Sequence, residues 1–201
     1  CWFGLVKLGV VVGFVNTQVS GRPLVHALEA IAAKAMIVGE EVLGNVLATE
    51  GLPSLPLWLV EDAEQPHTGA IPAHVDTGLG AALAKAPGTP FPRSLRADLS
   101  AETPSLLIFT SGTTGLPKAA RYSHMRWMST GDIMEITLQT TAQDVFYCCL
   151  PLYHGAAATS VTSTALKTGA AIVLRRKFSV REFWSDVRKH RISVFQYIGE
   201  I

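Results

Sequence analysis

Charge of one sign, paired cysteines and long apolar runs are all scarce in this chain of 201 residues. Lysine plus arginine total 17 against 16 aspartates and glutamates, for a formal net charge of +1. That near-balance gives no global electrostatic case for binding nucleic acid or an anionic membrane, although local patches are a separate matter. The 3 cysteines, Cys1, Cys148 and Cys149, are an odd number with two adjacent in an apolar run. They argue against a disulfide framework and against a zinc site, and they fit a reducing compartment. No His/Cys/Asp/Glu group has metal-ligand spacing. The opening apolar run, residues 1–15, is interrupted by Lys7 and falls short of the roughly 20 residues that a membrane-spanning helix needs. It reads as a buried helix end running into a strand, and no signal peptide is visible. What is plentiful is apolar side chain: 48% of residues are hydrophobic and 16% charged, enough for a sizeable core in one domain or a piece of a larger one. The chain starts on Cys1 and stops on Ile201 inside what reads as an element, so both ends are expected to be cut points.

Apolar and β-branched runs predict strands at residues 10–15, 36–38, 57–60, 105–109, 145–150, 170–174 and 192–197. Between them, Leu24, Leu28 and Ile31 share one helical face after the Ser20-Gly21-Arg22-Pro23 break, which predicts a helix to about Lys34. Leu43, Val46 and Leu47 predict another. Residues 61–103, with Pro66, Pro72, Pro87, Pro90 and Pro92, read as an irregular exposed connection holding one short helix at 79–86. Residues 123–138 read as a long helix in which Gly131 costs about 1 kcal/mol relative to alanine, predicting a bend or a later start. Residues 155–167, rich in Ala, Ser and Thr, suit a helix packed tightly on a sheet. Ser179 and Glu182 have the spacing of a capping box for a helix at 180–189, with Phe183, Trp184 and Val187 on its inner face. The expected fold class is α/β, with parallel or mixed sheets flanked by helices: a first βαβ portion at 1–60, the connection at 61–103, and a βαβαβ portion at 104–201.

The stretch that points to chemistry follows the 105–109 strand: Thr110-Ser111-Gly112-Thr113-Thr114-Gly115-Leu116-Pro117-Lys118. Hydroxyls, two glycines that let backbone N–H groups approach an anion, and one cation are the parts of a polyphosphate cradle. Neither G-x-x-x-x-G-K-[ST] nor G-x-G-x-x-G fits the spacing. Lys118, at the end of the loop, is a candidate catalytic group, since an ammonium there would neutralise charge on departing pyrophosphate, the plainer alternative being a solvated lysine at a helix start. His154, just past the 145–150 strand, is expected on the same side of the sheet as the loop, where an imidazole could hydrogen-bond a reacting carboxylate or phosphate. Of the other histidines, His26, His67, His74 and His190 lack such context, while His124 is close enough in sequence to support the loop. Arg175, Arg176, Lys177, Arg181, Arg188, Lys189 and Arg191 could meet coenzyme A phosphates or an anionic membrane. Glu182 and Asp186 intersperse those charges, so a solvated helix face is the plainer reading.

The nine residues of the loop resemble the signature of the adenylate-forming superfamily: acyl-CoA synthetases, luciferases and peptide-synthetase adenylation domains. Further stretches narrow the resemblance. Trp2-x-Gly4-Leu5-x-Lys7-Leu8-Gly9, Asn16-Thr17, Leu107 to Ala120, Cys149 to His154, Arg176-Lys177-Phe178-Ser179 and above all Gln196-Tyr197-Ile198-Gly199-Glu200 are similar to the fatty acid transport protein group of very-long-chain and long-chain acyl-CoA synthetases. The similarity spans nearly the whole chain except 61–103. It implies part of a large N-terminal domain in which Thr110, Ser111, Gly112, Thr113, Thr114, Gly115 and Lys118 meet ATP phosphates, with His154 at the reacting centre. It implies magnesium carried with ATP and coenzyme A as co-substrate. It also implies a two-step reaction in which a fatty acid carboxylate attacks the α-phosphate and the coenzyme A thiolate then displaces AMP. The family's adenine and magnesium segment, its ribose-binding aspartate, its hinge and its C-terminal domain with a catalytic lysine have no counterpart here, so these residues alone are expected to make no acyl-CoA. A lipid-binding or transport module without turnover, and a ligase for another carboxylate such as an aryl or bile acid, stay open. The expected location is membrane-associated or cytoplasmic with no spanning segment, nucleic acid is not an expected partner, and acyl chain length and oligomeric state are left undetermined.

Overall fold

The structure, a computed structural model, describes residues 1–110 and 117–199. It is α/β, built, among the described residues, on three three-stranded sheets. The chain divides into two compact units. One comprises Cys1–Phe14, Asp98–Ile108 and Arg121–Ile201, and the other Val15–Ala97 and Phe109–Ala120.

In the second unit, helix α2 (Arg22–Ala30) starts with Pro23 in its first turn, where the missing N–H has no intrahelical partner to lose. Its buried Leu24, Ala27 and Leu28 recur at the spacing of one helical face. It ends short of Lys34 because Ala32 takes a φ of 47°, which stops helical propagation. Strand β2 (Met36–Gly39) pairs parallel with β3 (Leu57–Val60), Met36 opposite Leu57 and Val38 opposite Leu59. Helix α3 (Glu40–Leu47) connects them and places Glu40 and Glu41 in its first turn, at the positive end of the helix dipole. A short parallel strand, β4 (Val75–Asp76), joins β3, followed by α4 (Leu79–Lys85) and a single 3₁₀ turn at Arg93–Arg96. The proline-rich connection therefore contributes a strand that its sequence did not predict, and Val75 is buried in the core with Leu24, Leu28, Val38, Leu43, Val46, Leu57 and Leu59.

In the first unit, α1 (Trp2–Val6) precedes β1 (Val12–Phe14). No residue of α1 is buried, against the expectation of a buried helix end, and Val10 and Val11 are exposed and fall outside the strand. Strand β1 lies parallel to β5 (Pro104–Thr110), Val12 opposite Leu106 and Phe14 opposite Ile108. The next strand in this sheet, β6 (Lys118–Ser123), was not expected. Side-chain bonds from Ser105 to the Tyr122 carbonyl and from Thr110 to the Lys118 carbonyl show that β5 and β6 run in opposite directions. Helix α5 (His124–Leu138) follows, with the Ser123 hydroxyl accepting from the Arg126 N–H. It runs on through Gly131 rather than starting after it. A Cβ at that glycine would stand 2.9 Å from the carbonyl carbon and oxygen of Ser163, so Gly131 serves close helix packing.

Strand β7 (Val145–Cys148) sits between parallel β8 (Ala171–Leu174) and β9 (Val194–Phe195). The small-residue stretch after β7 is helical, but it begins as a π-helical turn at Ala156–Val161 before becoming α6 (Thr162–Thr168). Thr159, Thr162, Ser163 and Thr164 each bond the carbonyl four residues back, which satisfies hydroxyls that would otherwise be buried without partners. Helix α7 (Val180–His190) is capped by the Ser179 hydroxyl accepting from the Glu182 N–H. Trp184 is not on its inner face: it is 63% exposed, and Asp186 is the buried residue of the helix. No helix among the described residues is long and apolar enough to cross a membrane.

Candidate functional site

The 110–118 stretch leaves the sheet from β5 and re-enters it as β6. Ser111, Gly112, Thr113, Thr114 and Gly115 lie outside the described residues; Thr110, Pro117 and Lys118 are defined. The Thr110 hydroxyl donates to the Lys118 carbonyl at 3.3 Å, so the two ends of the stretch are clasped. Lys118 opens a strand, not a helix. Its side chain is exposed, and among the described residues no carboxylate lies within ion-pair distance of its ammonium. An exposed cation next in sequence to a hydroxyl-rich stretch has the chemistry to meet a polyphosphate ligand, which is acceptor-only and multiply charged. One contact had no signal in the sequence: the His26 imidazole lies 3.3 Å from the Pro117 carbonyl, from a position 91 residues away.

His154 follows β7 in a tight turn, its N–H donating to the Pro151 carbonyl and its own carbonyl accepting from the Ala158 N–H, both at 2.9 Å. Gly155 then starts the π-helical turn, and a Cβ there would approach the Tyr122 hydroxyl to 3.7 Å. The exposed imidazole lies beside the Tyr153 ring, 5.0 Å between centroids, and makes no side-chain hydrogen bond among the described residues. The sequence placed His154 and the loop on one sheet. In the structure β7 and β5 belong to different sheets, because β9 rather than β5 takes the position beside β7. His124, the first residue of α5, has a buried Nε2 without a hydrogen-bond partner among the described residues.

Cys148, Cys149, Tyr147 and Asp186 are buried and structural in character. Burial pushes the Cys148 thiol up to about 11 and raises that of Cys149, so both stay protonated and weakly nucleophilic near neutral pH. Asp186 accepts the Tyr147 hydroxyl at 3.1 Å and the Arg175 Nε at 3.2 Å. Burial first, and then the Asp186 hydrogen bond, raises the Tyr147 phenol. No group of three or more His, Cys, Asp or Glu side chains among the described residues could hold a metal ion.

The fold is that of the N-terminal domains of acyl-CoA synthetases. An inhibitor-bound N-terminal domain of FACL13 from Mycobacterium tuberculosis superposes with a TM-score of 0.74 at 21% identity, covering 96% of this chain and 45% of that one. The anthranilate CoA ligase AuaEII in complex with anthranoyl-AMP superposes with a TM-score of 0.79 at 20% identity, covering 96% and 36%. At such identities the likeness is one of architecture. The AMP-binding enzyme family model matches residues 1–201, and the chain belongs to that family. Among curated proteins it is 41% identical to long-chain fatty acid transport protein 6 of Homo sapiens and 38% identical to long-chain fatty acid transport protein 5 of Mus musculus, in both cases over its full length. The chain spans 31% and 28% of those two proteins.

Proposed function

We propose that the protein carrying this chain is an ATP-dependent ligase that joins long-chain or very-long-chain fatty acids to coenzyme A through an acyl-adenylate. The observation that carries this reading is the 110–118 loop, set within a chain whose whole length matches the AMP-binding family. Thr110, Ser111, Thr113, Thr114 and the backbone N–H groups at Gly112 and Gly115 hold the ATP phosphates. Lys118 offsets the charge that develops as pyrophosphate leaves. His154 hydrogen-bonds the carboxylate or α-phosphate as they react, and magnesium arrives as the Mg·ATP substrate, held largely by phosphate oxygens. Activation by adenylation and positioning of the two reactants supply most of the rate. Adenine, ribose and coenzyme A contacts come from segments beyond these residues, so the 201 residues alone form no thioester. The full-length protein works at a membrane or in the cytoplasm.

ATP–pyrophosphate exchange by the full-length protein across a panel of carboxylic acids tests the reading. Long-chain fatty acids should drive the fastest exchange, and Lys118→Ala and His154→Ala should each slow it by roughly a hundredfold, as for the loss of one preorganised charge-stabilising group. Exchange at the wild-type rate in both variants overturns the assignment, and preference for aryl or bile acids redirects it to another carboxylate. The transport named in the curated relatives is a second reading. Fatty acid uptake that survives in both variants while exchange is lost would favour it as an independent activity.

A further inference from the structure

Helix α7 carries acidic and basic side chains in close alternation, and tertiary contacts separate them. Arg175, just past the end of β8, pairs with Glu182 and, at 3.2 Å, with Asp186. Asp186 is buried and also receives the Tyr147 hydroxyl. The two carboxylates that would neutralise the helix are therefore drawn toward Arg175. Arg181, Arg188, Lys189 and the capping residue Arg191 remain exposed, as does Lys177 just ahead of the helix.

Two apolar groups share this outer surface. Val180, Arg181, Trp184 and Arg188 fall at i, i+1, i+4 and i+8, neighbours along one side of a helix. Val180 is 77% exposed and Trp184 63% exposed. Trp184 leans edge-on against Phe183, with 5.1 Å between ring centroids, which gives the indole a support while most of its surface stays in water. A tryptophan held this way among arginines has the composition of a membrane–water interface, where indoles sit at headgroup level and guanidinium groups meet anionic headgroups.

We propose that the outer side of α7 is a docking surface for an anionic phospholipid bilayer. Trp184 and Val180 enter the headgroup layer, and Lys177, Arg181, Arg188, Lys189 and Arg191 lie against its negative charge. Charge complementarity commits the surface to lipid: five cations on and beside the helix are exposed while both carboxylates are tied to Arg175, and a nucleic acid would make no use of Val180. The inference stands apart from the ligase reading, because it uses none of the residues assigned to ATP.

Co-sedimentation of the full-length protein with phosphatidylcholine vesicles, with and without phosphatidylserine, tests it. Phosphatidylserine should strengthen binding, and added salt should weaken that gain. The pair Arg181→Ala and Arg188→Ala should lower the phosphatidylserine-dependent partition coefficient by roughly 25-fold, each cation near an anionic surface being worth about fivefold. Trp184→Ala should weaken binding to both vesicle types. Each variant should retain wild-type pyrophosphate exchange. If the alanine pair loses exchange, the pair Arg181→Lys and Arg188→Lys decides: retained vesicle binding supports the surface, and a loss equal to that of the alanine pair overturns it. An unchanged phosphatidylserine dependence in the folded alanine pair also overturns it. So does a loss confined to duplex DNA binding, which would assign the patch to nucleic acid.

Discussion

The imidazole of His26 on α2 donates its Nε2–H to the carbonyl oxygen of Pro117, 3.3 Å away. A carbonyl only accepts, so this contact selects the tautomer that carries the proton on Nε2. It anchors the residue directly before Lys118, and with it the exit of the proposed phosphate loop, to a helix whose inner side is buried in the core. His26→Ala in the full-length protein is predicted to raise KM for ATP about fivefold, matching the roughly 1 kcal/mol of a part-buried hydrogen bond. kcat should change much less. Steady-state pyrophosphate exchange at varied ATP checks the split between the two constants.

Gly131→Ala should destabilise the fold although it improves helix propensity. Alanine gains about 1 kcal/mol over glycine in a helix interior, but its methyl would meet backbone atoms of Ser163 at 2.9 Å. Backbone cannot swing away as a side-chain end can, and overpacking of this kind costs about 1–3 kcal/mol. Chemical denaturation should therefore show a net loss of up to about 2 kcal/mol; a stabilised variant would mean that the two helices separate without cost.

Asp186→Ala is predicted to cost about 2–3 kcal/mol, because it orphans the buried Tyr147 hydroxyl and removes the less exposed of the two carboxylates paired with Arg175. Tyr147→Phe, which leaves the ion pair intact, should cost about 1 kcal/mol. Denaturant midpoints of the two variants and of the double variant test the order, and less-than-additive losses should reveal the coupling.

Asp144 predicts a pH dependence. Its carboxylate accepts the Ser193 hydroxyl at 2.7 Å and the Thr141 N–H at 2.7 Å, and these bonds, Ser193 first, hold its pKa below the ordinary 3.8. A lowered native value means that the unfolded chain takes up the proton first as pH falls. The stabilisation is thus complete above 3.8 and is lost as pH drops through the lowered native value. Asp144→Asn should melt below the wild type at neutral pH, and the gap should close in acid. A constant gap at all pH values would assign the effect to shape rather than charge.

Particular elements show what the sequence could convey. The run at residues 57–60 was read with its observed bounds, because a short apolar stretch between Pro56 and the acidic pair Glu61-Asp62 has few alternatives. The Ser179–Glu182 pair announced the start of α7, because capping depends only on neighbours along the chain. Strand β6 escaped: Lys118-Ala119-Ala120-Arg121-Tyr122-Ser123 has little intrinsic strand preference, and β5 recruits it by pairing, as context often overrides propensity in sheets. Trp184 was misplaced for a related reason. Hydrophobicity alone sends it inward, but Tyr147 and Arg175 supply partners that let Asp186 take the buried position instead.

What the sequence by itself determined is chemical and local: an α/β chain, a run of hydroxyls, glycines and a lysine after a strand, and a histidine in a turn past another. Each rests on residue types at short range, where propensity, capping and motif spacing act. Only the tertiary structure decided that Lys118 opens a strand, that His26 holds Pro117, that Gly131 marks a helix contact, and that the acidic side chains of α7 turn toward Arg175 and leave its cations outside. Those outcomes depend on which distant groups are close enough to pack or to share a proton, and that proximity exists only once the chain has folded.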